Sequence, residues 1–350
     1  MGTGPLTAVL ARRGGPAVAL TLAGGLVALA ASLAIALTIG PANLTVGEVY
    51  AVVGAHLGFG DAGVSRIKDG IVWELRLPRT LLAAICGAGL ALCGAIMQSV
   101  LRNPLADPFV LGISSGASTG AVLVAVLGVG GGAISLAAGA FGGAIAAFAL
   151  VLVLAAAVGG GTARILLAGV AATQLFSALT SFIVVAGADA EQTRGVLFWL
   201  LGSLSGADWP DVAVCGSITA AGLVICLSRA DALDAFTFGA SAAAALGVPV
   251  RATRALLLAV TALITAALVS AAGAIGFVGL VLPHAARLVV GPRHRRLLPV
   301  TVLAGAIFTV WVDVAARTVF APTEIPVGVA TALIGVPAFV ALLFRNRATA

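Results

Sequence analysis

Three arginines have the side-chain chemistry and the surroundings to bind carboxylates. Arg76 and Arg79 flank a Leu-Pro pair at the start of a long apolar segment. Arg317 comes one helical turn after Asp313. A guanidinium group presents a planar fork of donors that matches a carboxylate. Two simpler interpretations stay open: Arg76 and Arg79 could anchor a helix end among lipid headgroups, and Arg317 could pair with Asp313 within one helix.

Polar side chains follow the apolar segment that these arginines precede. Pro104 and Pro108 predict a tight turn between two helices, because proline is disfavoured inside a helix and tolerated in its first turn. The amide and hydroxyl groups near this turn could line a polar path through a membrane. Alternatively, the hydroxyls could bond to their own helix and the amide to a neighbouring one. The candidate path residues are Gln98, Asn103, Pro104, Ser114, Ser115 and Ser118.

A second block combines glycines and a proline inside an apolar stretch, which predicts a bent or broken helix. Such a break is tolerated in a membrane where neighbouring groups satisfy the freed backbone. A histidine in the block could hold the bend by a hydrogen bond. It could also relay protons, but no carboxylate accompanies it there. The candidate bend residues are Gly276, Gly279, Pro283 and His284.

The chain contains a single lysine, Lys68, which Asp69 follows. A P-loop requires Gly-Lys-Ser/Thr so that the lysine reaches the terminal phosphates, and this sequence therefore holds none. It also lacks paired carboxylates, an HExxH motif and a Cys/His cluster. We predict that the chain is not an enzyme, with no catalytic residue, no metal site and no bound cofactor. Any ATP hydrolysis that drives it requires a separate subunit.

The elements that position these residues are membrane helices. The chain has 350 residues, of which 61% are hydrophobic and only 9% charged, against about 25% charged in soluble domains. Because a span needs about 20 apolar residues, we predict one all-α polytopic domain over residues 1–350. Gly116/Gly120 and Gly139/Gly143 have the GxxxG spacing of closely packed helices. The predicted spans are 17–39, 80–101, 109–129, 132–157, 164–187, 210–228, 253–272, 275–291, 298–319 and 326–344.

Ten spans place both termini on one side of the membrane. Most of the 19 Lys and Arg residues, including Arg12 and Arg13, then fall on that side, which the positive-inside rule assigns to the cytoplasm. We expect the first apolar run to be retained, because it exceeds the usual core of a signal peptide. Residues 40–79 form the long outer loop, and residues 229–252 form the long cytoplasmic loop.

The stretch from residue 74 to 118 and the block from 273 to 287 together resemble the FecCD-type family. Its members are permease subunits of ABC importers for iron-siderophores, haem and vitamin B12. The resemblance extends over about residues 40–345 and implies the fold of a vitamin B12 importer permease. It also implies a second permease subunit, the same chain or a related one. Two cytoplasmic ATPases that bind ATP and Mg²⁺ and an external binding protein complete the expected assembly.

The resemblance also implies roles for individual residues. Arg76, Arg79 and Arg317 fall where the family docks carboxylates of the binding protein, and Thr162 falls where it places a cytoplasmic gate. Short helices in the loop 229–252 would contact the ATPase. At Ala240 this chain departs from the family, which usually has an acidic residue there. The implied coupling residues are Phe238, Gly239, Ala240, Ser241, Leu246 and Gly247.

From these features we expect an importer permease in the bacterial inner membrane, with no nucleic-acid partner. The expected ligand is a ferric siderophore, and haem or vitamin B12 stays open. The alternative is an ion-coupled secondary transporter, a class that places ionisable residues near the membrane midplane. Asp313 is the carboxylate that would serve it.

Overall fold

The computed structural model of the protein describes residues 15–40, 42, 44–61, 63–159 and 161–347. Every regular element in these ranges is helical. A short 3₁₀ turn, Pro108–Leu111, precedes α4. The helices are α1 Gly15–Thr38, α2 Val46–His56, α3 Arg66–Val100, α4 Ile113–Ala125, α5 Leu136–Ala157, α6 Thr162–Gly187, α7 Ala190–Leu200, α8 Trp209–Ser228, α9 Ala230–Phe236, α10 Ala240–Ala245, α11 Val250–Ala272, α12 Val278–Val290, α13 His294–Thr318 and α14 Val327–Arg347.

Seven of these helices are long and apolar enough to cross a membrane, namely α1, α3, α5, α6, α8, α11 and α13. Three shorter apolar helices, α4, α12 and α14, bring the number to ten. The all-α polytopic prediction is confirmed. Arg12 and Arg13, which contributed to the predicted orientation, lie outside the described residues.

Helix α3 lies at the centre of the bundle. All its residues from Leu90 to Val100 are buried, and it packs against α8, α11, α12 and α13. It begins well before the predicted start at residue 80, because the side chain of Ser65 accepts a hydrogen bond from the backbone N–H of Lys68 and caps the helix. A wide π-helical turn, Ile71–Arg76, lies within it. The central helix therefore runs from the outer loop to the opposite end of the bundle.

Glycines allow α4 and α5 to pack with their backbones in contact. A methyl group added at Gly143 would lie 2.2 Å from the carbonyl oxygen of Gly116, and one at Gly120 would lie 2.1 Å from that of Gly139. Both distances are far below van der Waals contact. These are the GxxxG glycines of the sequence, and here they form one interface.

The predicted outer loop contains helix α2 and the first turns of α3. Thr45 and Glu48 form a reciprocal capping box at the start of α2. Lys68 donates a 2.6 Å hydrogen bond to Glu48, and this bond lowers the pKa of Glu48 to about 2. The ring of His56 stacks on Trp73 at 4.0 Å. These local contacts hold the loop in a defined fold.

Candidate functional site

The chain between α11 and α12 is irregular from Gly273 to Phe277, whereas Gly279, Pro283 and His284 lie inside α12. Helix α11 ends at Ala272, and α12 begins at Val278 after Phe277, whose φ is +67°. Helix α12 then lies directly against α3, since a methyl group added at Gly94 would lie 1.9 Å from the carbonyl oxygen of Gly279. The first turn of α12 is therefore in direct backbone contact with the central helix.

Gln98 of α3 satisfies the backbone that the proline of this block leaves unpaired. In a helix the carbonyl of Gly279 would accept from residue 283, but Pro283 has no N–H. The Nε2 atom of Gln98 donates instead to the carbonyls of Gly279, at 3.1 Å, and Leu280, at 3.3 Å. Its Oε1 atom accepts from Arg287 at 2.7 Å. Only 4% of Gln98 is exposed, so its amide bridges α3 and α12.

The other candidate path residues lie in different surroundings. Ser115 and Ser118 donate to the carbonyls of Gly112 and Ser114, which is the back-bonding alternative. Oδ1 of Asn103 accepts from the backbone N–H of Leu105. Pro104 and Gln98 border one cavity of about 310 Å³, together with Ser99, Arg102, Thr237, Arg287, Pro292 and His294.

Arg76 and Arg317 both bind the carboxyl end of α1 and the residues that follow it. Arg76 donates to the carbonyls of Leu37, at 3.1 Å, and Ala42, at 2.9 Å. Arg317 donates to those of Ala36, at 2.9 Å, and Ile39, at 2.8 Å. The last carbonyls of a helix lack intrahelical partners and attract cations. The sequence did not predict that these arginines bind backbone carbonyls, because every residue has a carbonyl and no residue type identifies the acceptor.

Arg79 lies between two carboxylates of the same chain. Its Nε and Nη2 atoms are each 2.9 Å from Oδ1 of Asp313, and its Nη1 is 3.0 Å from Glu324. Asp313 is buried and also lies 3.3 Å from Nε of Arg317, which is the helical ion pair named as the alternative. The docking of an external carboxylate on these arginines stays a prediction.

The loop between α8 and α11 exposes large apolar side chains. Phe238 is 75% exposed and Leu246 is 70% exposed. They flank α10, which contains Ala240 and Ser241 and which Gly239 precedes with a φ of +104°. Gly247 follows Leu246 in the left-handed region. An exposed apolar pair on a short helical segment fits contact with another protein. Thr162 is the first residue of α6 and lies outside this loop.

One buried link was not anticipated from the sequence. Oδ1 of Asp234 in α9 accepts from both the backbone N–H and the ring Nδ1 of His294, at 2.9 and 2.6 Å. The Nε2 atom of His294 lies 2.6 Å from Oγ of Ser99 in α3. In the sequence His294 stands among three arginines, Arg293, Arg295 and Arg296. Its burial, and not its type or spacing, reveals the link.

The FecCD transport family matches residues 26–345 of this chain. The cobalamin import system permease protein BtuC of Halobacterium salinarum is 46% identical over 81% of this chain and 76% of its own length. The hemin transport system permease protein HmuU of Yersinia pestis is 40% identical over 79% of this chain and 84% of its own. A solved ABC transporter described as of the metal-chelate type aligns with a TM-score of 0.81 at 30% identity, over 93% of this chain and 98% of that one.

These similarities span most of the chain and include both motif blocks. The protein is a multi-pass permease subunit of an ABC importer and not itself an enzyme, and ATP is hydrolysed by a separate subunit. The ion-coupled alternative is not favoured. On the length of the match and its agreement with the ten-helix fold, the chain belongs to the FecCD transport family.

Proposed function

We propose that this permease moves a metal chelate across the membrane through a pathway that it forms with a second permease subunit. Two ATPase subunits that bind ATP and Mg²⁺ drive the movement from the cytoplasm, where both termini lie, and an external binding protein delivers the ligand. The observation that carries the proposal is the exposed pair Phe238 and Leu246. A chain without a P-loop needs a contact surface for the ATPase, so that ATP hydrolysis in the ATPase can change the conformation of the permease.

The broken helix supports a pathway close to α3 and α12. Irregular backbone within a membrane is tolerated where it is buried in protein or lines a cavity, and Gln98 holds the first turn of α12, which follows it. Asn103, Pro104 and Ser114 extend the proposed path toward the cytoplasm, with Thr162 at its gate.

We propose cobalamin as the first ligand to test. The relative named for cobalamin import is 46% identical, whereas the relative named for hemin transport is 40% identical. The ferric siderophore expected from the family resemblance is the competing ligand. All three are rigid metal chelates, so they differ in size and charge more than in the kind of pathway they need.

The test is affinity purification of the tagged full chain from native membranes, followed by reconstitution with what accompanies it. We expect a P-loop ATPase and a binding protein, and ATP-dependent uptake of radiolabelled cobalamin. Uptake of haem or a ferric siderophore in its place would overturn the ligand but not the importer. A chain that is recovered alone and transports without ATP would overturn the importer.

A further inference from the structure

A cavity of about 750 Å³ lies between α5, α6 and α11. Its lining shares no residue with the Asp234–His294–Ser99 link or with the irregular chain between α11 and α12. One wall is apolar, with Leu152 and Ala155 of α5 and Leu258 of α11. Arg251 and Arg254, from the first turn of α11, line the same cavity. The cavity is therefore amphipathic, with cationic groups at one end and hydrocarbon along the rest.

Arg254 is half-buried, and its guanidinium includes a buried nitrogen, Nε, without a hydrogen-bond partner in the part of the chain that the structure describes. Among the described residues, no ion pair joins Arg251 or Arg254 to a carboxylate. An unmet buried donor costs about 1–3 kcal/mol, so an anion in the cavity would relieve that cost. Three residues apart on one helix, the two arginines lie on the same face.

The surroundings of the cavity indicate the source of that anion. Leu152 and Val153 of α5 are exposed, Val153 by 64%, on a helix that crosses the membrane. The cavity thus adjoins the face that hydrocarbon chains contact. The two arginines lie at the end of the spans that the positive-inside rule assigns to the cytoplasm. Basic cavities between spans on this side suit the headgroups of acidic lipids.

We propose that this cavity binds an acidic phospholipid. Arg251 and Arg254 hold the phosphate of the headgroup, and an acyl chain lies along Leu152, Ala155 and Leu258. The proposal depends on the membrane-spanning fold and not on the transported ligand or on ATP, so it stands or fails separately from the proposed function.

The test measures lipid binding to the purified full-length permease assembly by native mass spectrometry. The probes are dioleoyl-phosphatidylglycerol and dioleoyl-phosphatidylcholine. We expect preferential retention of the phosphatidylglycerol, and a loss of about 10- to 30-fold in its affinity when Arg251→Gln and Arg254→Gln are combined. Arg295→Gln is the matched control, because Arg295 lies on the same side, is exposed, and pairs with exposed Asp231.

A second variant tests the apolar wall without changing charge. Ala156→Trp, at the exposed edge of the cavity, should fill it and reduce phosphatidylglycerol retention by a similar factor, while the melting temperature in lipid-free detergent stays unchanged. Equal retention of the two lipids, or unchanged affinity in the double variant, would overturn the proposal. Displacement of the lipid by millimolar inorganic phosphate would also overturn it, since a free anion would then be the occupant.

Discussion

Asp234 and His294 join the loop between α8 and α11 to the start of α13 through one carboxylate oxygen. Oδ1 of Asp234 accepts from both the backbone and the ring of His294, at 2.9 and 2.6 Å. Since the other ring nitrogen of His294 contacts Ser99, a displacement of α9 reaches the central helix through two hydrogen bonds. The exposed Phe238 and Leu246 come after Asp234 in the same loop.

We predict that Asp234→Ala uncouples ATP hydrolysis from transport. It removes the only acceptor that the ring Nδ1 has among the described residues, and such a loss costs about 1–3 kcal/mol. The substrate moved per ATP hydrolysed should fall several-fold in proteoliposomes, while ATPase activity persists. Asp234→Asn keeps an acceptor oxygen and should retain most of the coupling.

The control for this prediction is Asp231→Ala on the same helix. Asp231 is 84% exposed and its partner Arg295 is 73% exposed, and such a surface pair contributes little to stability. If Asp231→Ala and Asp234→Ala lowered the amount of substrate moved per ATP hydrolysed equally, the link through His294 would have no special role.

A second prediction contrasts the two carboxylates that hold Arg79. Asp313→Asn leaves Arg79 and Arg317 without their buried counter-charge, and we expect a loss of about 3–5 kcal/mol in the free energy of unfolding. Glu324 is 35% exposed, so Glu324→Gln should cost less than about 1 kcal/mol. Equilibrium unfolding in mixed micelles measures both. Equal losses would contradict the difference in burial.

A third prediction uses Glu324 to test the docking of the binding protein. Reversing the charge of Arg76 would not provide such a test. Arg76 holds backbone carbonyls at the end of α1 and at Ala42 beyond it, so a glutamate at position 76 would damage the fold whether or not docking occurs. Glu324→Gln instead removes a carboxylate that competes for Arg79. If Arg79 docks the binding protein, the affinity of the binding protein for the Glu324→Gln permease should be about fivefold higher than for the parent. Surface plasmon resonance measures this.

Glu191→Gln, at another exposed glutamate, is the control for that measurement. An unchanged affinity in Glu324→Gln would assign Arg79 to structure alone.

The sequence marked the region of the irregular backbone through its glycines, but Pro283 lies inside α12 and not at the break. The span count followed from the sequence, because each span is a local run of apolar residues. The inward roles of Arg76 and Arg317 did not follow, since their acceptors are carbonyls of α1, remote in sequence. Gln98 shows the boundary: its polarity marked it as important, but only the structure shows that it replaces the N–H that Pro283 lacks.

A fourth prediction concerns pH. Asp107 lies in the turn between α3 and α4, where burial raises its pKa from 3.8 to about 6. The folded chain therefore binds this proton more tightly than the unfolded chain does. Its contribution to stability is greatest below about pH 4, falls as the pH rises to about 6, and is constant above that.

Asp107→Asn should remove this dependence while keeping the oxygen that accepts from the N–H of Phe109. At pH 7 we expect the variant to be more stable by at most about 2–3 kcal/mol, and equal to the parent near pH 4. Denaturation midpoints across this range measure the difference, with the exposed cap variant Asp189→Asn as control. A variant less stable than the parent at pH 7 would contradict the sign.

The last prediction uses two adjacent glycines of α5. Gly143 lies against the backbone of α4, where an added methyl group would come within 2.2 Å of the carbonyl oxygen of Gly116, whereas nothing lies within 4 Å of the same group at Gly142. Backbone cannot move aside as a side-chain tip can, so Gly143→Ala must separate the two helices. We expect a loss of several kcal/mol, as for other overpacked or cavity-forming changes. Gly142→Ala should be neutral or stabilising by up to about 1 kcal/mol, because alanine is the better helix former. Thermal unfolding of the two variants measures the effect of the contact between α4 and α5. The change of one glycine of α5 to alanine is common to both variants and cancels in the comparison. Equal melting temperatures would mean that α4 and α5 are not held together by their glycine faces.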